Sequence, residues 1–294
     1  MIIDIDPRVD VVFHNLFGSP EHPTLTRSFV NALLARSGLP TALELTIQNP
    51  FQLADFMNQK ESHLDILMQD ETRRQVQLEM QIRSRTGLPQ RMLHNWSQVY
   101  QRQLRKSQHY YSHCPVLSAW ILEQPLFDDG RWRHLFRCRD TASDLVLHED
   151  LGILTTELAV WRRSRHHQPG GGDGLDPLDK WLYFLSYTKG AEQDGLLATL
   201  DNPEFEEAVE VVNGFTKEEN RRIAYDRRKN WEILLNTYIE DGKQEGIREG
   251  RLEGKLEDAR AMLAEGLALD LVLRCTGLTA ENLKSHPGSG SLSD

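Results

Sequence analysis

"LDILMQDETRRQVQLEMQ" (residues 64–81) holds two short apolar-alternating runs on either side of a polar break that carries two arginines. Alternation with period two reads as strand on both sides, so the stretch predicts an antiparallel hairpin over 63–69 and 75–82. Leu64, Ile66 and Met68 then share a face with Val76, Leu78, Met80 and Ile82. Asp65, Leu67 and Gln69 share the other with Gln75, Gln77, Glu79 and Gln81. A loop centred on Thr72 sets Asp65 directly opposite Glu79. Directly opposed residues on one face have Cβ atoms about 4.5–5.5 Å apart, and like charges there destabilise a sheet. No basic neighbour is fixed by the sequence. A divalent cation would turn the repulsion into ligation, and Mg²⁺ takes one or two carboxylates together with waters and substrate phosphates. The implied site has Asp65 and Glu79 as ligands and Gln81 one step along the same face, beside a bound water. Such a metal activates water and stabilises charge on a phosphoryl oxygen. A solvated face of Glu and Gln is the other reading of the same residues.

Working outward, "TLTRSFVNALLAR" (24–36) spaces Leu25, Phe29 and Leu33 as a helix, and "ALELTI" (42–47) alternates as a strand. "PQRMLHNWSQVYQRQLRKSQHYY" (89–111) puts Leu93, Trp96, Tyr100 and Gln103 on one helical face. "PVLSAWIL" (115–122) is apolar enough for a strand buried on both faces. The order helix, three strands, helix, strand predicts an α/β fold, with helices packed on a mixed sheet. "RWRHLFRCRD" (131–140) alternates again: Trp132, His134, Phe136 and Cys138 on one face; Arg131, Arg133, Arg137 and Arg139 on the other. It reads as a solvated edge strand, with a phosphate-binding face as the alternative.

"SRHHQPGGGDGLDP" (164–177) has linker composition, and beyond it Asp176 suits an N-cap with Pro177 at the first helical position. The divisions expected are a core over 1–163, a Gly-rich linker over 164–175, a helical segment over 176–240, a helical tail over 241–285 and a disordered end over 286–294. Gly242, Gly246, Gly250 and Gly254 recur every four residues in the tail. Either helices approach closely along that stripe, which would make a homo-oligomer, or it is a polar, frayed extension. "LALDLVLRCTGLTAENL" (267–283) reads as two short helices about Thr276–Gly277, faintly like a helix-turn-helix.

The formal charge of −10 excludes a chain attracted to phosphate as a whole. Its distribution matters more. From Met80 to Leu122 there is no acid, while Arg83, Arg85, Arg91, Arg102, Arg105 and Lys106 are present with His94, His109 and His113. This is an anion-facing surface or a solvated helix face. No apolar run approaches the roughly 18 residues of a membrane span, and "MIIDIDPRVD" has neither a basic n-region nor an apolar h-region. Cys114, Cys138 and Cys275 are odd in number and in no CxxC spacing, which fits a reducing cytoplasm. No G-x-S-x-G occurs, which leaves little for a serine hydrolase.

"DVVFHNLFGSPEH" (10–22), "KESHLDILMQDETRRQVQLEMQ" (60–81) and "HNWSQVYQRQLRKSQHYYSHCPVLSAWILE" (94–123), in that order, resemble the recombination-promoting nuclease (Rpn) and transposase family within the PD-(D/E)XK nuclease superfamily. "DPLDKWLYFL" and the tail ending in "TGLTAENL" carry the resemblance on. It implies a restriction-endonuclease-like α-β-β-β-α-β core and a metal-dependent DNA endonuclease of recombination, mobile-element biology or phage defence. Asp65 and Glu79 would ligate Mg²⁺ or Mn²⁺, and Gln81 would stand where the motif lysine does. Gln103 would point at the site from the second helix. Arg83, Arg85, Arg102, Arg105 and Lys106 would hold DNA phosphates. Asp10 either adds a carboxylate to the site or caps a helix, with the cap favoured, and His14 is read as a structural or backbone-contacting residue rather than a catalytic base. Gln81 carries no charge, so the lysine's electrostatic contribution is missing. The alternative function is an inactive DNA-binding or oligomerising protein that keeps the nuclease fold.

Overall fold

The computed structural model describes residues 1–49, 66–83, 86–104, 109–164 and 175–285. The chain divides into two compact units, Met1–Lys229 and Asn230–Asp294.

The first unit is built on a six-stranded sheet: β1 (Leu45–Ile47), β2 (Ile66–Asp70), β3 (Gln75–Gln81), β4 (Val116–Leu122), β5 (Arg133–Phe136) and β6 (Leu151–Glu157), in spatial order β1-β2-β3-β4-β6-β5. The pairs β3–β4 and β4–β6 are parallel, and the others antiparallel. The β2–β3 hairpin has the register expected from its symmetry about Thr72, with Ile66 opposite Leu78 and Gln69 opposite Gln75. Asp70 builds the turn. Its Oδ1 accepts from the Thr72 and Arg74 amides and the Thr72 hydroxyl, and its Oδ2 pairs with Arg74 at 2.7 Å. Arg73 takes the left-handed backbone, φ 70°, that closes the turn.

Val76, Leu78, Leu117, Ala119, Ile121 and Leu154 face the larger core. There they join Phe13 and Phe17 of α1 (Asp10–Gly18), Phe29 of α2 (Pro23–Arg36), Trp181 and Phe184 of α5 (Pro177–Tyr187) and Phe205 of α7 (Glu204–Lys217). The short helices α4 (Leu158–Arg163) and α6 (Gln193–Leu200) complete that layer. On the opposite face, Trp120, Leu122 and Ile153 pack under Leu88 and Met92 of α3 (Leu88–Arg102). Helices therefore cover both faces, and β4 is buried along its whole length because both cores use it. Asp176 caps α5 through the Asp179 amide at 2.9 Å, with Pro177 in the first turn.

Several elements depart from expectation. Helix α3 ends at Arg102, and a separate 3₁₀ turn covers Tyr110–Ser112, where one helix over 89–111 was predicted. Its inward stripe is Leu88, Met92 and Val99, flanked by Trp96, whereas Leu93 is 53% exposed. Leu93 lies one residue past Met92, roughly 100° around the helix. Asp10 is not the cap of α1. It sits inside the first turn, accepts from the Val11 amide and pairs with Arg228 at 2.5 Å. His14 meets its expectation: it is buried, with Nδ1 2.7 Å from the Asp10 carbonyl oxygen. Strand β5 is an edge strand, as expected. Its arginine side meets protein groups: Arg131 pairs with Asp129, Arg137 with Glu149 and Arg139 with Asp144, and Arg133 donates to Ser37. The Gly-rich stretch 165–174 and the end 286–294 lie outside the described residues.

Helix α8 (Glu219–Ala264) runs unbroken through 46 residues, its part beyond Lys229 lying in the second unit. There Leu256 and Ala259 of α8 bury Val272 of α9 (Leu269–Thr276) and Leu278. Gly277, φ 69°, ends α9 in the left-handed conformation that glycine adopts without strain. Thr279 and Asn282 then cap α10 (Ala280–Ser285) reciprocally: the Asn282 amide reaches Thr279 Oγ1 at 3.2 Å and the Thr279 amide reaches Asn282 Oδ1 at 3.0 Å. A Cβ placed at Gly242, Gly246, Gly250 or Gly254 would meet no atom within 4 Å among the described residues. No described helix is long and apolar enough to cross a membrane.

Candidate active site

Strand β3 presents Gln75, Gln77, Glu79 and Gln81 to the face that α3 covers, and the chain reaches α3 through Gly87. That residue has φ 80°, a conformation that would strain any residue with a Cβ. The turn carries the first two turns of α3 over the end of β3. Arg91 Nη2 there donates to Glu79 Oε1 in a close ion pair and to Gln81 Oε1 at 2.7 Å. Asn95, one turn on, donates to Glu79 Oε2 at 3.4 Å. The Arg91 guanidinium lies 5.0 Å from the centre of the buried Trp120 ring. Gln81 Nε2 is used by the Arg83 carbonyl at 2.7 Å, which turns the Gln81 oxygen toward Arg91. Next to this group, Gln77 accepts from Ser118 at 2.9 Å and Ser118 accepts from the Trp120 indole at 2.8 Å.

Glu79 and Gln81 are thus brought together, with two oxygens on one cationic nitrogen. No basic neighbour for Glu79 is set by the sequence alone; the fold supplies one, Arg91 from the next helix. Asp65 lies outside the described residues, as do Arg85, Arg105 and Lys106. Gln103 is placed elsewhere. Its amide pairs with the backbone of Cys114, at 2.7 and 3.0 Å, at the opposite end of α3 from Arg91. It ties the chain entering β4 to the helix. Arg83 lines a shallow cleft with Gln81, Leu88, Leu122, Gln124, Pro125 and Leu126. Arg102 is exposed and donates to Gln98. Among the described residues no three His, Cys, Asp or Glu side chains converge as a metal site. The donors present are hard oxygens around a cation, the chemistry that suits Mg²⁺ or Mn²⁺.

In the same row of the sheet, Gln81 neighbours Leu122, and Leu122 neighbours Glu157. Glu157 is fully buried, and burial pushes its carboxyl above the ordinary value of 4.5 against the pull of nearby amides and His134. His134 Nδ1 stands 3.8 Å from Glu157, and Nε2 stands 3.0 Å from Asp129. The His134 hydrogen bond, with Arg131, holds Asp129 well below the usual carboxylate range. Because the native Glu157 keeps a proton that the unfolded chain has lost, stability falls as pH rises from 4.5 through the raised native value. Glu157→Gln is therefore expected to raise the melting temperature at pH 7. The gain should vanish below the ordinary glutamate value, which melting curves at pH 4 and 7 would check.

The described residues form a mixed six-stranded α/β sheet with helices on both faces and an E-x-Q strand beneath an arginine. A family model described as "PD-(D/E)XK nuclease family transposase" matches residues 7–242, and the chain belongs to that family. A second, "Rpn/YhgA-like nuclease family, C-terminal HTH domain", matches residues 252–287, which hold the end of α8 together with α9 and α10. Neither the curated proteins nor the solved structures give a match.

Proposed function

We propose that the protein is a divalent-metal-dependent DNA endonuclease of the recombination-promoting, transposase-related type, acting in the cytoplasm. The observation that carries this is the convergence of Glu79 and Gln81 oxygens on Arg91 Nη2, at a strand end in a chain of this family. Glu79 and Asp65 would hold Mg²⁺ or Mn²⁺, which when bound supplies Lewis acidity at a phosphoryl oxygen and a more acidic water. Asn95 restrains the second oxygen of Glu79, so the carboxylate keeps its direction. Gln81, its nitrogen tied to the backbone, offers only its oxygen and orients a water by accepting from it. Arg91 supplies the positive charge that Gln81 lacks. Freed from Glu79, its planar fork can bind two phosphate oxygens while it rests over Trp120. Arg83 and Arg102, with Arg85, Arg105 and Lys106, would add salt-sensitive contacts to backbone phosphates. The helix-turn-helix unit would add a second DNA contact.

The other reading is a DNA-binding protein that no longer cuts, favoured by the neutralisation of Glu79 by Arg91. Cleavage of supercoiled and linear DNA in Mg²⁺, Mn²⁺ or EDTA separates the two. We expect metal-dependent nicking by wild type, lost in Asp65→Ala. Intact DNA in every lane would leave the binding protein.

A further inference from the structure

Away from Glu79, at the far end of α3, four rings lie in one parallel series. Trp96 and Tyr100 stack at 4.9 Å and 18°, Tyr100 and His113 at 4.1 Å and 12°, and His113 and Tyr110 follow at 6.4 Å and 11°. A second parallel pair, His109 and Tyr111 at 5.0 Å and 8°, stands in the same turn. The series is anchored at its base. The Trp96 indole donates to the Val116 carbonyl at 3.0 Å, and the Tyr100 hydroxyl donates to Asp150 at 2.7 Å. His113 Nδ1 stands 2.9 Å from the Tyr110 carbonyl oxygen. Its outer end is open: Tyr110 is 87% exposed and Tyr111 84%.

In the larger core the aromatic rings of Phe13, Phe17 and Trp181 are buried and meet edge-on. Rings that are parallel, anchored by hydrogen bonds and uncovered offer flat faces, and stacking on flat faces suits a planar ligand. The composition of the segment that carries the rings narrows which one, although Asp150 accepts from Tyr100 at the base. From Met80 to Leu122 the sequence has no acid and six Arg or Lys, in a chain whose net charge is −10. A polyanion bearing planar groups fits this surface better than an acidic or apolar peptide does. In a duplex the base faces are already stacked, so only an unpaired base can use the rings.

We infer that Tyr110, backed by His113, Tyr100 and Trp96, together with Tyr111, backed by His109, forms a stacking platform for unpaired nucleobases of a DNA strand. The inference rests on the nuclease reading and narrows its substrate to DNA with single-stranded character. Val116 pairs with Gln75, four residues along β3 from Glu79, so the base of the platform is about 13 Å along the strand from that carboxylate. A strand crossing α3 would meet both. The stacking is tolerant of sequence, because every base has a flat face.

The test is binding of fluorescently labelled single-stranded and blunt duplex DNA to the full chain in EDTA, read by anisotropy. Tyr110→Ala/Tyr111→Ala is expected to weaken single-strand binding about 10- to 100-fold and duplex binding by under about 3-fold. Tyr110→Phe/Tyr111→Phe keeps the ring faces and should bind as wild type. Unchanged single-strand binding by the Ala variant, or an equal loss on duplex, overturns the platform. Because EDTA removes cleavage from the readout, the two readings fail separately. A platform confirmed in a chain that cuts nothing would leave a single-strand binder, and cleavage with no tyrosine dependence would leave a nuclease without it.

Discussion

Glu79→Gln is expected to lower DNA cleavage at saturating Mg²⁺ by about 10³-fold or more while leaving the melting temperature within a few degrees. The amide keeps an oxygen for Arg91 Nη2 and the side chain's shape, and gives up only the long Asn95 bond, which the amide nitrogen cannot accept. What is lost is the negative charge, and with it a hard anionic ligand. Removing one well-placed electrostatic group from an active site typically costs about 10²–10³-fold, and a ligand to the ion should cost at least as much. Arg91 gives the matching test. Arg91→Ala is expected to reduce cleavage about 10²-fold and also to lower the metal concentration for half-maximal rate, because Glu79 no longer has to leave an ion pair. Arg91→Lys should recover much of the rate, since a point charge remains, but not all, since the planar fork over Trp120 is gone. A purely structural role for Arg91 would change melting and leave the metal dependence alone. Full cleavage by Glu79→Gln would remove β3 from the chemistry.

How much of this was readable in advance follows from which interactions are local. The hairpin was legible because its alternation and its odd loop are written within eighteen residues, and Ile66–Leu78 to Gln69–Gln75 pair accordingly. Strand β4 was legible because both its faces are covered and its run is apolar throughout. The helix-turn-helix showed only as two short periodic runs about a glycine, since its core also needs Leu256 and Ala259 from the preceding helix. Arg91 was counted as one of several basic residues. Its pairing with Glu79 depends on where Gly87 sets α3 on the sheet, a tertiary fact. A hint did exist: an arginine one turn into a helix that opens Gly-Leu-Pro, soon after E-x-Q. The inward face of α3 was misjudged because Met92, Leu93 and Trp96 allow two apolar stripes, and only docking onto Trp120 and Ile153 chooses Met92. Gln103 lies just past the end of the same helix and bonds the Cys114 backbone, a contact no local pattern announces.

The turn at Asp70 governs both stability and site geometry, and Asp70→Ala should show it. The carboxylate is buried and serves two amides, one hydroxyl and the Arg74 guanidinium. Arg74, itself largely buried, also donates to the Pro40 carbonyl at 2.9 Å, so it ties the turn to the chain ahead of β1. Removing one partner of a buried pair costs about 3–5 kcal/mol because the other is left without its countercharge. In a unit of this size that corresponds to a fall of roughly 6–20 °C in Tm. The Asp70→Ala/Arg74→Met double variant should lose less than the two single losses combined, because no buried charge is then stranded. Additive losses would mean that the ion pair is incidental and that the amide bonds alone hold the turn. A Tm change under about 2 °C in Asp70→Ala would refute the role of the turn altogether. Cleavage should fall with stability in that variant, since a one-residue slip of β3 against β2 would turn Glu79 and Gln81 to the opposite face, away from Arg91.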